Sequence, residues 1–309
     1  MGRRRRRGDP VNGWFIVDKP TGPTSTAVVN EVRRLANAAK AGHGGTLDPL
    51  ATGVLPVALG EATKTMRYIV DGTKSYRFTV RWGIGTDSDD ADGEAMAFSD
   101  TRPEAAAVRA VLPRFAGEIE QVPPRYSAIK VAGQRAYDLA RGGESFDLEA
   151  RAVLIEAIDL VATPDADHAV FEVTCGPGAY MRGLGRDIAL ALGTVGHITA
   201  LRRTRVGPFR EENAISLDAL RSFEDSAAVL QHMLPVETAL DDIPALALTD
   251  GEARRLRSGQ AVSLLRKMDL QRIAGFNDGD TVLALDKGKP IALTRYTAGE
   301  VHPLRVLNL

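Results

Sequence analysis

Residues 74–82, KSYRFTVRW, alternate with a period of two. Tyr76, Phe78, Val80 and Trp82 fall on one face, and Ser75, Arg77, Thr79 and Arg81 on the other. Side chains alternate across a strand, so this pattern predicts a half-buried strand with an aromatic inner face and a basic outer face. A chain built around such a segment needs a sheet with one buried side.

The flanking segments mix both kinds of element. VNGWFIVDKP predicts a short strand ending at Asp18-Lys19-Pro20. PTGPTST is turn chemistry, and Thr24 or Ser25 can cap the helix that follows. Val28, Val32, Leu35 and Ala39 then recur at helical spacing, with Gly42 expected as the stop. Further helices are expected at 61–70, 103–112 and after GPGAY, where Leu184, Ile188 and Leu192 line one side. Strands are expected at 151–161, 169–175 and 197–206, the last closed by Gly207-Pro208. Strands and helices do not alternate as regular βαβ units, so the fold class is α+β with a mixed, mainly antiparallel sheet. Residues 1–10 read as a disordered basic arm, 11–240 as a catalytic domain and 245–309 as a small, β-rich C-terminal domain. The last opens with a capping-box pattern, Thr249-Asp-Gly-Glu252, and a helix that stops at Gly259.

Composition narrows the function classes. With 44% hydrophobic residues, the chain can bury a sizeable core. No apolar run approaches the roughly 20 residues of a membrane span, and no secretory segment follows the N-terminus. The single cysteine, Cys175, permits no internal disulfide and fits a reducing compartment, so the cytoplasm is the expected home. The formal charge is −1, and without the Arg3–Arg7 run the balance is 34 basic to 40 acidic residues. A basic face on such a chain depends on where the arginines sit.

The stretch GHGGTLDPLATGVLPVALGEATK, Gly42 to Lys64, concentrates the chemistry. Asp48 precedes a proline, a pairing that commonly starts a helix, with Gly53 available to end the turn. Capping alone does not explain His43 and three glycines just upstream. Gly42, Gly44 and Gly45 would let a ligand approach the backbone closely. No phosphate-loop template fits this stretch. Arg182 stands at the opening of a helix, where the macrodipole disfavours a cation, so either solvent or a carboxylate must satisfy it. The acidic run TDSDDADGEA puts Ser99 where an EF-hand needs a bidentate Glu, so no calcium site is expected. The five histidines are scattered and Cys175 has no partner thiol, so no metal is expected.

Five ordered blocks carry a family resemblance. They are VDKPTGPTS, GHGGTLDPLATGVLPVALGEATK, KSYRFTVRWGIGTDSDDADG, PPRYSAIKVAGQRAYDLAR and GHITALRRTRVGPF, which together span roughly residues 13–210. The chain resembles the tRNA pseudouridine-55 synthases, the TruB family. The resemblance implies isomerisation of a uridine in the T stem-loop of tRNA, without cofactor or metal. It implies that Asp48 is the catalytic aspartate, that Arg182 pairs with it, and that Tyr76 stacks on the uracil and is a candidate proton acceptor. His43 matches the position that helps hold the flipped-out base. Lys19 and Pro20 match the corner beside the pocket, Tyr180 a nearby aromatic and Leu201 the pocket leucine. The family usually carries Thr where this chain has Gly44, and a segment like CSKGTYIR where it reads CGPGAYMR. The C-terminal domain fits a small PUA-like β domain.

This chemistry suits the residues. The reaction cuts the N1–C1′ bond, rotates the uracil and rejoins it through C5, so no atom is gained. A carboxylate nucleophile divides that step in two, by attack at C1′ or at C6. A neighbouring guanidinium favours the charged carboxylate. The stacked base must be extruded, and an aromatic ring can restore its stacking. Lys64, Arg67, Arg77, Arg81, Lys130, Arg202 and Arg203 are candidates for RNA-backbone contact. The alternatives are a guide-RNA-dependent synthase of the dyskerin type and a non-catalytic tRNA-binding or folding module. No obligatory protein partner is expected, and the chain is expected to be a monomer.

Overall fold

The computed structural model describes residues 8–127, 129–131, 133–142 and 146–309, with backbone alone for Lys130, Arg135 and Arg141. The Arg3–Arg7 run and the side chain of Lys130 therefore lie outside the described residues.

The first strand, β1 (Gly13–Lys19), leads into α1 (Ser25–Leu35). Thr24 caps α1 by accepting from the Ala27 amide. Val28, Val29 and Val32 are buried beneath it. The helix ends earlier than the valine spacing implies. Asn37 turns left-handed at φ +46, and the Ala38 amide bonds back to the Arg33 carbonyl. Ala39 therefore lies outside the helix, and Gly42 belongs to a short strand, β2 (Ala41–His43).

Next come β3 (Thr52–Leu59), α2 (Met66–Val70) and β4 (Lys74–Trp82). A small hairpin, β5 (Ile84–Thr86) and β6 (Ala95–Phe98), follows, then α3 (Ala105–Val111) and β7 (Gly117–Gln121). β8 (Lys130–Val131), β9 (Gln134–Arg135) and α4 (Ala136–Arg141) form a small outlying piece. The chain returns through β10 (Arg151–Ala162), β11 (His168–Cys175), α5 (Met181–Ala191) and β12 (Gly196–Val206). Two short strands, β13 (Phe209–Arg210) and β14 (Ile215–Ser216), precede α6 (Leu217–Ser222) and α7 (Ser226–Leu230).

Among the described residues ten of these strands make one sheet, ordered β14-β1-β3-β12-β4-β11-β10-β7, with β2 beside β3 and β13 beside β12, while β5–β6 and β8–β9 pair separately. Within this sheet, among the described residues, only β1–β14 and β12–β3 pair in parallel. β4 lies at the centre, and its alternation is realised: Phe78, Val80 and Trp82 are buried. Phe78 faces Phe171 of β11 directly and stacks on it, with ring centroids 5.3 Å apart. Trp82 meets Phe171 edge-on at 6.3 Å. Leu184 and Ile188 of α5 pack on this face, and Leu192 is partly buried beside them.

The C-terminal part is a second sheet. β15 (Ala245–Leu248) is followed by α8 (Asp250–Arg257), which carries the expected capping box between Thr249 and Glu252. β16 (Val262–Ser263), β17 (Thr281–Asp286), β18 (Lys289–Thr297) and β19 (Glu300–Val306) complete the order β15-β17-β18-β19-β16. Leu283 and Leu293 of this sheet share an apolar cluster with Trp14, Ile16, Val54 and Ala58 of the large sheet. The architecture is thus α+β with mixed sheets and a C-terminal β domain.

Candidate active site

Asp48 does not cap a helix. The Ala51 amide bonds to the Asp48 carbonyl at 3.1 Å, and the chain enters β3 at Thr52. The corner is held on both sides. The Ser25 hydroxyl donates to the Leu47 carbonyl and accepts from the Leu47 amide, both at 2.8 Å. On the other side, the Lys19 ammonium donates to the carbonyls of Pro20, Pro49 and Ala51 at 2.9, 3.2 and 2.7 Å. Lys19 is fully buried, and burial lowers its pKa to about 8, with Asp48 opposing and Arg203 adding to the shift. It thus ties three carbonyls of the corner together, while Pro20 lies exposed.

Arg203 corrects the sequence expectation. Read as a phosphate contact, it is instead 1% exposed. Its guanidinium donates to the carbonyls of Val54, Thr46 and Gly45 at 2.8, 3.2 and 3.0 Å, which fixes the loop leading to Asp48. Gly53 makes room for this strand: at φ +97, a Cβ there would sit 2.2 Å from the Arg203 carbonyl oxygen.

A cleft of about 290 Å³ opens beside Asp48. Tyr76, Tyr180, Arg182, Leu201 and Gly45, all singled out in the sequence, line it. Lys74, Ser127, Met181 and the Gly176–Gly178 turn also line it, and sequence reasoning missed them. Burial raises the pKa of the Tyr76 phenol, with Arg203 opposing, and burial likewise raises that of Tyr180. His43 does not line the cleft; it sits half-buried on β2, its Nδ1 is unpartnered, and burial lowers its pKa. Gly44 also stands outside the cleft lining. A Cβ there would meet Ile69 at 2.6 Å, and one at Gly42 would meet Met66 at 2.9 Å, so packing rather than ligand approach accounts for both.

Arg182 reaches Asp48 from the start of α5. Its Nη2 lies 2.9 Å from Asp48 Oδ2, and its Nη1 lies 3.4 Å from Asp90 Oδ2. It also donates to the carbonyls of Ser88 and Tyr126 at 3.0 and 2.7 Å. The unfavourable helix position is thus offset by two carboxylates and two carbonyls. The acidic run, rejected as a metal loop, supplies one of those carboxylates.

The remaining basic candidates separate by face. Arg77 pairs with Glu172, and Arg202 with Asp18 and Glu211. Arg77, Glu172 and Glu211 border a second cleft, on the side of the sheet away from Asp48. Arg81 shares the outer face of β4, with its Nε buried and unpartnered. Arg77, Arg81 and Arg202 therefore lie on the side of the sheet away from Asp48. Lys64 bonds to Glu61 and to the Val306 carbonyl, tying the C-terminal sheet down. Arg67 is exposed and lies over the Tyr68 ring at 5.2 Å. Among the described residues, no helix is long and apolar enough to cross a membrane.

Residues 33–181 match the N-terminal domain of the TruB family pseudouridylate synthases. Residues 182–241 match the tRNA pseudouridylate synthase B C-terminal domain. The junction falls inside α5, between Met181 and Arg182. A protein named tRNA pseudouridine synthase B from Rhodospirillum rubrum is 54% identical over 306 residues, 99% of each chain. One of the same name from Gluconacetobacter diazotrophicus is 56% identical over 305 residues, 98% of this chain and 100% of that one. Among solved structures, a chain of a Cbf5–Nop10–Gar1 complex superposes with a TM-score of 0.72 at 28% identity, covering 95% of this chain and 84% of that one. The likeness is thus closer and more complete to the bacterial enzymes than to that complex, and the chain belongs to the TruB family of pseudouridylate synthases.

Proposed function

We propose that the protein isomerises a uridine of tRNA to pseudouridine, that its target is position 55 in the T loop, and that Asp48 is the nucleophile. The observation that carries the reading is the Asp48–Arg182 contact of 2.9 Å at the edge of a cleft lined by Tyr76, Tyr180 and Leu201. A base flipped out of the T loop would enter this cleft and stack on an aromatic ring in place of its RNA neighbours. Arg182 would hold Asp48 ready to attack C1′ or C6. Tyr76 is the candidate proton acceptor during rearrangement. Residues 11–240 would form the catalytic domain and 245–309 a small β domain docked on it. The protein would act as a monomer in the cytoplasm, needing neither metal nor cofactor.

The test is incubation of purified protein with a bare tRNA transcript, followed by chemical mapping of pseudouridine. Modification confined to the T-loop uridine supports the reading. Modification elsewhere overturns the target. Activity only with added guide RNA or protein partners would favour the dyskerin-type alternative, which the structural likeness to the Cbf5 chain keeps in view.

A further inference from the structure

Arg186 lies one turn beyond Arg182 on α5, about 6 Å further along the axis. Residues four apart share a helix face. These two side chains reach the same two pieces of chain. Arg182 bonds to the Ser88 and Tyr126 carbonyls. Arg186 donates from Nη1 to Asp89 Oδ2 and from Nη2 to the Val122 carbonyl, both at 2.8 Å. Its Nε donates to Asp187 at 2.9 Å. The two pieces are also joined to each other, because the Tyr126 hydroxyl donates to Asp87 Oδ2 at 3.0 Å. Neither Arg186 nor Asp89 lines the cleft.

The arrangement matters because neither piece is held as a regular element. Residues 87–90 form a turn, and residues 122–127 form an irregular connection. Asp89 takes φ +62, a region sparsely populated by residues with side chains, while its carbonyl accepts from the Ile198 amide at 3.0 Å. Two of the four groups around Arg182 are carbonyls on these pieces. A shift in either would move the guanidinium away from Asp48.

We propose that Arg186 and Asp89 are positioning residues for the reaction: they form a second rung that holds the Ser88 and Tyr126 carbonyls, and through them Arg182, against Asp48. The inference rests on the role of Arg182 given under the proposed function.

The experiment uses the full-length protein and a tRNA transcript. Arg186→Met, Asp89→Ala, the charge-removing Asp89→Asn and the Arg186→Met/Asp89→Ala double variant are compared with wild type. The readouts are the single-turnover rate constant, which loss of folded fraction does not change, and the tRNA Kd. Each single variant should slow the chemical step about tenfold while Kd stays within about twofold, and the double should be no slower than the worse single, as coupled residues behave. Unchanged rate constants, or an additive double variant, would overturn the proposal. If Arg186→Met or Asp89→Ala fails to fold, Asp89→Asn alone decides it by the same criterion. Arg182→Met is run in parallel. Normal turnover there sinks the role of Arg182 itself; an inactive Arg182→Met beside fully active Arg186 and Asp89 variants sinks only the second rung.

Discussion

The Asp48 carboxylate, 39% exposed, lies 2.9 Å from the Arg182 guanidinium, whose side chain is only 5% exposed. The anion thus faces the cleft while its counter-ion stays dry. A guanidinium shielded from water interacts more strongly with a nearby charge than one on the surface. Arg182 also meets Asp90 at 3.4 Å, so one cation serves two carboxylates.

Asp48→Asn keeps the shape of the side chain and removes its charge and nucleophilicity. Turnover should fall at least about 10³-fold, with tRNA affinity changed by less than about threefold. Pseudouridine mapping and a binding titration check the two halves. Wild-type turnover in the Asn variant would rule the nucleophile assignment out.

Arg182→Met leaves Asp90 buried without its cation. Removing one partner of a buried pair costs about 3–5 kcal/mol, so the denaturant midpoint should drop clearly along with turnover. Arg182→Lys should not rescue turnover, because an ammonium cannot match a planar fork that spans Asp48, Ser88 and Tyr126.

Acid should slow the enzyme without weakening the fold through Asp89. Burial raises the Asp89 pKa from 3.8 to about 6; Arg186 and Arg182 oppose the rise and Asp187 adds to it. A carboxyl raised in this way favours the folded state when protonated. Its stabilising contribution is complete below the unfolded value and is lost as pH rises through about 6. The ion pair with Arg186, by contrast, needs the carboxylate. The single-turnover rate should therefore decline between about pH 7 and 5 with a midpoint near the Asp89 value, and Asp89→Asn should flatten that limb at the lower rate. Thermal melts over the same range should show no matching loss caused by Asp89.

Gly53→Ala should destabilise the protein by about 2 kcal/mol or more, because it combines a left-handed φ with a steric overlap. The overlap is with backbone, the Arg203 carbonyl oxygen at 2.2 Å, so no side-chain rotation relieves it. Turnover should fall too, since the same strand carries the guanidinium that holds Gly45 and Thr46. A calorimetric melt and a turnover assay check this.

Several elements could be read from the chain because their causes are local. The alternation of Tyr76, Phe78, Val80 and Trp82 predicts β4 and the side of it that is buried. Thr24 marks the start of α1, and the Thr249–Glu252 pair marks the start of α8. The end of α1 was not readable. The valine spacing continues past Leu35, whereas the stop comes from Asn37, which turns left-handed and bonds through its side chain to Asp9, a residue far away in sequence.

The basic residues show the same limit. Arg77, Arg202 and Arg203 all read as free cations, since nothing in their neighbours' identities tells them apart. Pairing of β12 with β3 and β4 puts Arg203 inside, on the carbonyls of the Asp48 loop, and leaves Arg77 and Arg202 with acidic partners on the far side. The acidic run likewise announced charge but not its purpose, because Arg182 and Arg186 reach it only after α5 has packed on the sheet.

The amino-acid order alone thus settled the α+β class, the alternation of β4 and the starts of α1 and α8, all of which follow from side chains within a few residues of one another. Which charge is buried, which carboxylate meets Arg182 and which side of the sheet faces the cleft were settled only by strand pairing and helix packing. Those outcomes depend on desolvation by segments far apart in the chain, and a local pattern carries no record of them.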